Sequence, residues 1–532
     1  RAQVQRHQHR PDGEDDTGDG VWGRRLKRSG GGQWLGIPAA WKRPQPRQMG
    51  APSSRDNPHG ETVSIGTASS GEGGAATART PKPQRRQGPR AGGDRRHLRG
   101  QPPGAGPPRR LFCRHAFHRR LDGRLVLDAG RDRGDTAKPA VPSLTADLLN
   151  KGTANKTTAE LEDAIKSLGS DIRISASATG ATVSGSSLSR NFAETLSLVE
   201  EMLLEPRWDA EEFELLKRRQ INQIDQDAGN PGAISRREAA KLRYPADHIY
   251  SYLPYGTKEK LEAVSLADLQ AFYRAYYAPA RARLNIVGDV NAQAVTAAVN
   301  GLANNWNTPA TEPVSLPQAN PVEKSVVYFY DVPGAKQSVL RIQRPSLSAL
   351  DPDYPLATAA NFLLGGIYTS QLMTELRVNR GYTYGIRSGF SGAKDRGSFT
   401  IGSSVRSNVT RESMALIRDI VRDFGPGFTE EDLQVLKGAV LRGQALKNET
   451  LGAKLGVVQN ISYFGYPDDY QARDAALVEA MTLDQFREIA RKYLRADAMQ
   501  YLVVGDAETQ AGRLGDLGFG EPVMLTSPSG GE

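Results

Sequence analysis

The chain has 532 residues with 69 Lys+Arg against 60 Asp+Glu, a formal net charge of +9. Residues 1–140 hold 28 of the basic and 13 of the acidic residues, leaving 41 and 47 for residues 141–532. The basic character therefore belongs to the first quarter, and no nucleic-acid partner follows from it. One cysteine, Cys113, excludes an intramolecular disulfide framework, and no run of about 18 apolar residues predicts a membrane span.

Residues 1–140 show little periodicity, hold six of the seven histidines and contain runs such as RQGPRAGGDRRHLRGQPPGAGPPRR. They read as a poorly ordered basic leader, or as a stretch outside the native frame, since a shifted reading of GC-rich DNA enriches Arg, Gly, Pro and His. No signal-peptide pattern follows Arg1. RRLDGRLVLDAG (119–130) is the one weak strand candidate there. From about residue 141 the pattern becomes regular. Thr157 stands three before Glu160, a capping box, and Leu161, Ala164, Ile165 and Leu168 then share a helical face. Residues 171–189 alternate like two strands around Gly180, and 191–206 return to helical spacing, halting before Pro206.

A repeat sets the domain count. Residues 264–289 align without a gap to 481–506, each with a Ser or Thr cap, an amphipathic helix and an apolar strand ending in Gly-Asp; 208–217 match 428–437. The expectation is an α+β chain of two tandem homologous domains, each an antiparallel-rich sheet packed with helices. The domains are placed at 141–305 and 325–515, with a Pro- and Asn-rich linker over 306–324 and a tail over 516–532. The second copy opens with two apolar runs flanking Pro333-Gly334, a hairpin-like start.

That copy contains NFLLGGIYTSQLMTELRVNRGYTYGIRSGF (361–390): a helix ending near Leu364, a Gly365-Gly366 pair expected to free the backbone, a helix over 370–377 closed by Gly381, and a departing strand. Tandem domains, LLGG before a helix, and LR followed by RGYTYG resemble the insulinase/pitrilysin family of zinc peptidases, including bacterial two-subunit members and mitochondrial processing peptidase. The resemblance covers about residues 141–510 and implies half of a clamshell. In active members a His-x-x-Glu-His helix binds zinc, a later glutamate completes the site, and an Arg and a Tyr seven apart come from the C-terminal half.

Carried onto this sequence, the zinc helix falls on SLTADLLNKGT (143–153). The ligand and base positions become Ser143, Ala146 and Asp147, and the third ligand becomes Gln223. None but Asp147 suits zinc, which takes imidazole, carboxylate or thiolate donors. His115 and His118 form no family-like site, and His248 reads as structural. Arg377 and Tyr384 keep the family spacing, and Arg380 and Tyr382 are near decoys. The resemblance thus implies a subunit that binds no cofactor. A zinc-binding partner of the same family would carry His-x-x-Glu-His, while Arg377 and Tyr384 stabilise the oxyanion and Gly365 and Gly366 handle a peptide or unfolded substrate. Export to the periplasm fits such a pair. The rival expectation is a structural module like the core subunits of respiratory complexes that share the fold.

Overall fold

A computed structural model describes residues 110–114, 120–309, 312 and 315–526; His115, His118 and the bulk of the expected leader lie outside them. The first sheet comprises β1 (Arg110–Arg114), β2 (Arg120–Leu127), β3 (Asp171–Ala176), β4 (Ala181–Leu188) and β5 (Arg283–Gly288), in the order β1-β5-β2-β4-β3. The second comprises β6 (Val326–Asp331), β7 (Gln337–Ser346), β8 (Thr383–Ser391), β9 (Gly397–Arg406), β10 (Gln500–Gly505) and β11 (Val523–Leu525), in the order β11-β6-β10-β7-β9-β8. Without β11 the two orders coincide position by position, and in each the first two strands run parallel while the remaining pairs are antiparallel. The repeat seen as letters is thus a repeated topology, α+β as expected.

Three expectations need correction. The first domain does not start at residue 141: β2 pairs with β4 and β5 over its whole length, because Leu121, Leu125 and Leu127 point into the first core. The second domain does not end at residue 515, since β11 extends the second sheet beside β6. Nor do β6 and β7 form a hairpin, because β10 lies between them. The turn at Gly334 (φ 70) straddles the end of β10, where its N–H donates to Asp506 Oδ1 at 2.8 Å.

The caps at the repeat are realised in both copies, with full capping boxes at Ser265/Asp268 and Thr482/Gln485. The helices they open bury Leu269 and Phe272 in one core and Phe486 and Ile489 in the other. Two further helices cross over. Pro231–Arg243, from the first copy, lays Ile234 and Ala239 on Tyr330, Leu502 and Val504 of the second sheet. Leu451–Phe464, from the second copy, lays Leu455 and Val458 on Val287 of the first. Polar contacts fix each crossing. Gln343 Nε2 donates to the Ala239 carbonyl at 2.7 Å, Arg243 Nη2 donates to Gln343 Oε1 at 2.6 Å, and Arg124 Nη1 donates to Gln459 Oε1 at 2.6 Å. Each sheet thus has its own helices on one face and a helix of the other copy on the opposite face.

Candidate functional site

The helix Val141–Leu148 starts with Pro142 in its first turn and packs Val141, Leu144 and Leu148 into the first core. Of the positions where the resemblance puts zinc chemistry, Ala146 is fully buried among apolar neighbours, and Ser143 is buried with its hydroxyl unpartnered. Asp147 opens into a cleft of about 420 Å³ lined also by Lys151, Arg173, Arg219, Gln220 and Tyr255. Its carboxylate accepts a 2.7 Å bond from the Tyr255 hydroxyl. Burial pushes the Asp147 carboxyl above the ordinary range, opposed by that bond and by Arg173, Arg219 and Lys151.

Gln223 does not join the cleft. It is exposed on the helix Ala210–Asp227 and donates to Asp227 Oδ1 at 3.1 Å, while Leu216, Arg219 and Gln220 face Asp147. Among the described residues no cluster of three His, Cys, Asp or Glu side chains could hold a metal ion. One carboxylate faced by three cations does not fit zinc, since the same field that stabilises Asp147 repels a divalent ion.

The second copy is built differently. Its counterpart segment runs from the helix Tyr354–Asn361 into two π-helical turns, Phe362–Gly366 and Thr374–Asn379, joined through Gln371–Met373. Such wide turns recur at functional sites because they displace side chains from the regular helical face. Gly365 and Gly366 sit in the first of them, and neither has a positive φ. Close packing explains Gly365 instead: a Cβ there would lie 2.2 Å from Ser388 Oγ and 2.8 Å from Ser388 N. Behind it, Ser388 Oγ donates to Asn361 Oδ1 at 2.6 Å and Asn361 Nδ2 donates to the Ser388 carbonyl at 3.0 Å, locking the turn onto β8.

Arg377 stands on the second wide turn, which ends at Gly381 (φ 61) as expected; the Tyr382 N–H donates to the Leu376 carbonyl at 2.8 Å. β8 then begins with a bulge, because Tyr384 and Gly385 together face one residue of β9 between the pairs Thr383–Val405 and Ile386–Ser403. Thr383 Oγ1 pins it, donating to the Ser404 carbonyl at 2.7 Å and accepting from the Gly385 N–H at 3.0 Å. Bulges re-aim side chains, and here Tyr384 is turned outward, 87% exposed. The Arg377 guanidinium carbon lies 4.6 Å from the Tyr384 ring centroid and 4.9 Å from that of Tyr368, so the cation lies over two tyrosine rings. Among the described residues no carboxylate pairs with Arg377, whereas the decoy Arg380 is spent on Glu375. Tyr382 precedes the ladder and is half-buried. Tyr368 went unnoticed in the sequence, because the turn and irregular helix over 369–376 separate it from Arg377 and no period links them. His248 is structural as expected: its Nδ1 accepts from the Tyr250 N–H at 2.9 Å, and its Nε2 lies 3.1 Å from the Pro317 carbonyl.

Residues 263–440 match the family described as the peptidase M16 inactive domain. The chain is similar to the non-peptidase homolog YmxG of Helicobacter pylori, 21% identical over 393 residues that cover 72% of this chain and 88% of that protein. Its fold resembles the crystal structure of a peptidase M16 inactive domain from Pseudomonas fluorescens. The two are 24% identical, with a TM-score of 0.70 and coverage of 76% of this chain and 97% of that one. It also resembles the periplasmic protease PqqL from Escherichia coli, at 13% identity and a TM-score of 0.61, covering 74% of this chain but 43% of that one.

Proposed function

Because the chain carries a peptidase M16 inactive domain within an insulinase/pitrilysin-type fold, we propose that it is the metal-free half of a two-chain peptidase. In that assembly a zinc-binding partner of the same family would complete the site. A match to less than half of a longer protease supports reading the chain as one side of a clamshell. The observation that carries the proposal is Arg377: half-buried beside the exposed Tyr384, set over two tyrosine rings and free of any described counter-ion, it has N–H donors available to a ligand. A planar guanidinium stacked on its faces can still donate along its edge to a carbonyl oxygen, and the hydroxyl of Tyr384 extends the same donor set.

Zinc held by the partner's His-x-x-Glu-His residues would supply an activated water. This chain's own residues bind the scissile carbonyl of a peptide or unfolded segment. As the carbonyl oxygen gains negative charge, Arg377 and Tyr384 donate hydrogen bonds to it, and their worth rises because the charge exists only in the transition state. The loop at Gly365 and Gly366 borders this arm and is assigned to substrate handling.

The test is hydrolysis of a quenched peptide library by this chain alone, by a zinc-motif partner alone, and by the mixture, with Tyr384→Phe as control. Activity confined to the mixture and lowered about 10²- to 10³-fold in kcat by the tyrosine change is expected. A partner equally active without this chain would favour the second reading, a structural module, which the non-peptidase naming of the Helicobacter pylori relative supports. Folded proteins cut as fast as short peptides would remove the unfolded-segment restriction.

A further inference from the structure

We propose that Tyr368 is a positioning residue for Arg377, the second jaw of an aromatic clamp that holds the guanidinium edge toward substrate; this rests on the reading of Arg377 given above. An arginine side chain has four rotatable bonds and loses their rotamer freedom when fixed. Arginines are commonly fixed by a carboxylate, which would also occupy the donor edge. Arg377 has no such partner among the described residues; its guanidinium carbon lies 4.9 Å from the Tyr368 ring centroid and 4.6 Å from that of Tyr384 instead. Tyr384 alone is a poor anchor, because its ring is 87% exposed. Tyr368 is 53% exposed and follows directly on the wide turn that Gly365 presses against Ser388, with the Gly366 carbonyl accepting from Arg387 Nη1 at 3.3 Å. The tight approach of Gly365 to β8 fixes the turn from which the chain leads to Tyr368. The glycine pair and the arginine arm, apart in sequence, meet through this ring.

The chain is prepared with ¹⁵N-arginine, and its Arg377 Nε–H resonance is assigned by its loss in Arg377→Lys. Two ring faces should displace that resonance and slow its exchange with water. Tyr368→Ala should move it toward the position of a free arginine, and Tyr368→Phe, which keeps the ring, should not. In the complex with the zinc-bearing partner, Tyr368→Ala should lower kcat about two- to five-fold with KM unchanged, and Tyr368→Phe should restore it. An Nε–H resonance indifferent to Tyr368→Ala overturns the proposal, whatever the activity. Loss of activity in Tyr368→Phe also overturns it, by assigning the work to the hydroxyl. If the resonance moves as expected while Arg377→Lys and Tyr368→Ala both leave hydrolysis untouched, the clamp stands and the oxyanion role of Arg377 falls.

Discussion

The contrast between Gly365 and Gly366 is a matter of about one ångström. A methyl group at 365 would overlap Ser388 by more than any rotamer change relieves, because the backbone nitrogen is also struck; at 366 the nearest atom, the Asn361 carbonyl oxygen, is 3.3 Å away. Gly365→Ala is therefore expected to destabilise by about 1–3 kcal/mol and Gly366→Ala by much less, read as shifts in the denaturant midpoint. Asp147 gives a second residue-level prediction. Its folded-state carboxyl is raised by burial, so its contribution to stability is complete below the unfolded value near 4 and is lost as pH rises through the folded value. Asp147→Asn keeps an oxygen for the Tyr255 hydroxyl and should stabilise the chain at pH 7, an advantage that disappears in acid melts. A metal ligand would show the reverse once metal is added. The spacing of Arg377 and Tyr384 was legible in the sequence because seven residues from a helix end to a strand start is a local property. The zinc positions were legible as wrong by residue type. Tyr368 and the cations around Asp147 were not, because both depend on segments brought together only by the fold.

At the level of elements, the two sheets differ most where Gly123 faces Gly185 across β2 and β4, a place held in the second sheet by Leu340 and Ser403. The missing side chains contribute to an apolar cavity of about 90 Å³ under helices Phe192–Leu204 and Ala292–Asn305, lined by Leu121, Val183, Leu196, Ile286, Val299 and Trp306. A Cβ on Gly123 would meet Ile286 Cγ1 at an ordinary 3.5 Å. Gly123→Ala should therefore raise the stability of the chain by about 0.4–1 kcal/mol, seen as a higher melting temperature. The alternation of β2, with Leu121, Leu125 and Leu127 on one face, made it a weak candidate in advance; the glycine at its centre is what weakened it. The hairpin expected at Pro333-Gly334 failed for a different reason. Turn chemistry reports that the chain reverses but not whether a strand from much later in the chain slips between the arms, and β10 does so because its side chains are buried on both faces, which suits a strand inside the sheet. The bulge at Tyr384 left no mark in the sequence beyond an ordinary glycine.

Across the whole molecule, the linker is strapped to the first copy before it enters the second. The Asn320 N–H and side chain donate to the carbonyls of Arg243 and Leu242 at 2.8 and 3.1 Å, and Pro317 lies against His248. His248 is 2% exposed, and burial lowers its proton affinity against the opposing pull of the Pro317 carbonyl and Asp247. The unfolded chain therefore takes up the proton more readily. The stabilisation is complete above the unfolded value of about 6.5 and lost as pH falls through the folded one. Proteolysis within 306–324 should accelerate on acidification, and His248→Gln should flatten that dependence. A nick there should not separate the halves: with helices 231–243 and 451–464 each seated on the other copy's sheet, the fragments are expected to co-elute on gel filtration until denaturant is added. The repeat at one offset made the duplication readable from the sequence, but not the exchange, since an amphipathic pattern shows that a helix has a face to bury and not whose surface receives it. The exchange has a historical side as well. A single ancestral copy would have left one sheet bare and one helix without a seat, a debt settled only by a second molecule of its own kind. Once duplication placed both in one gene, each half answered for the other's shape.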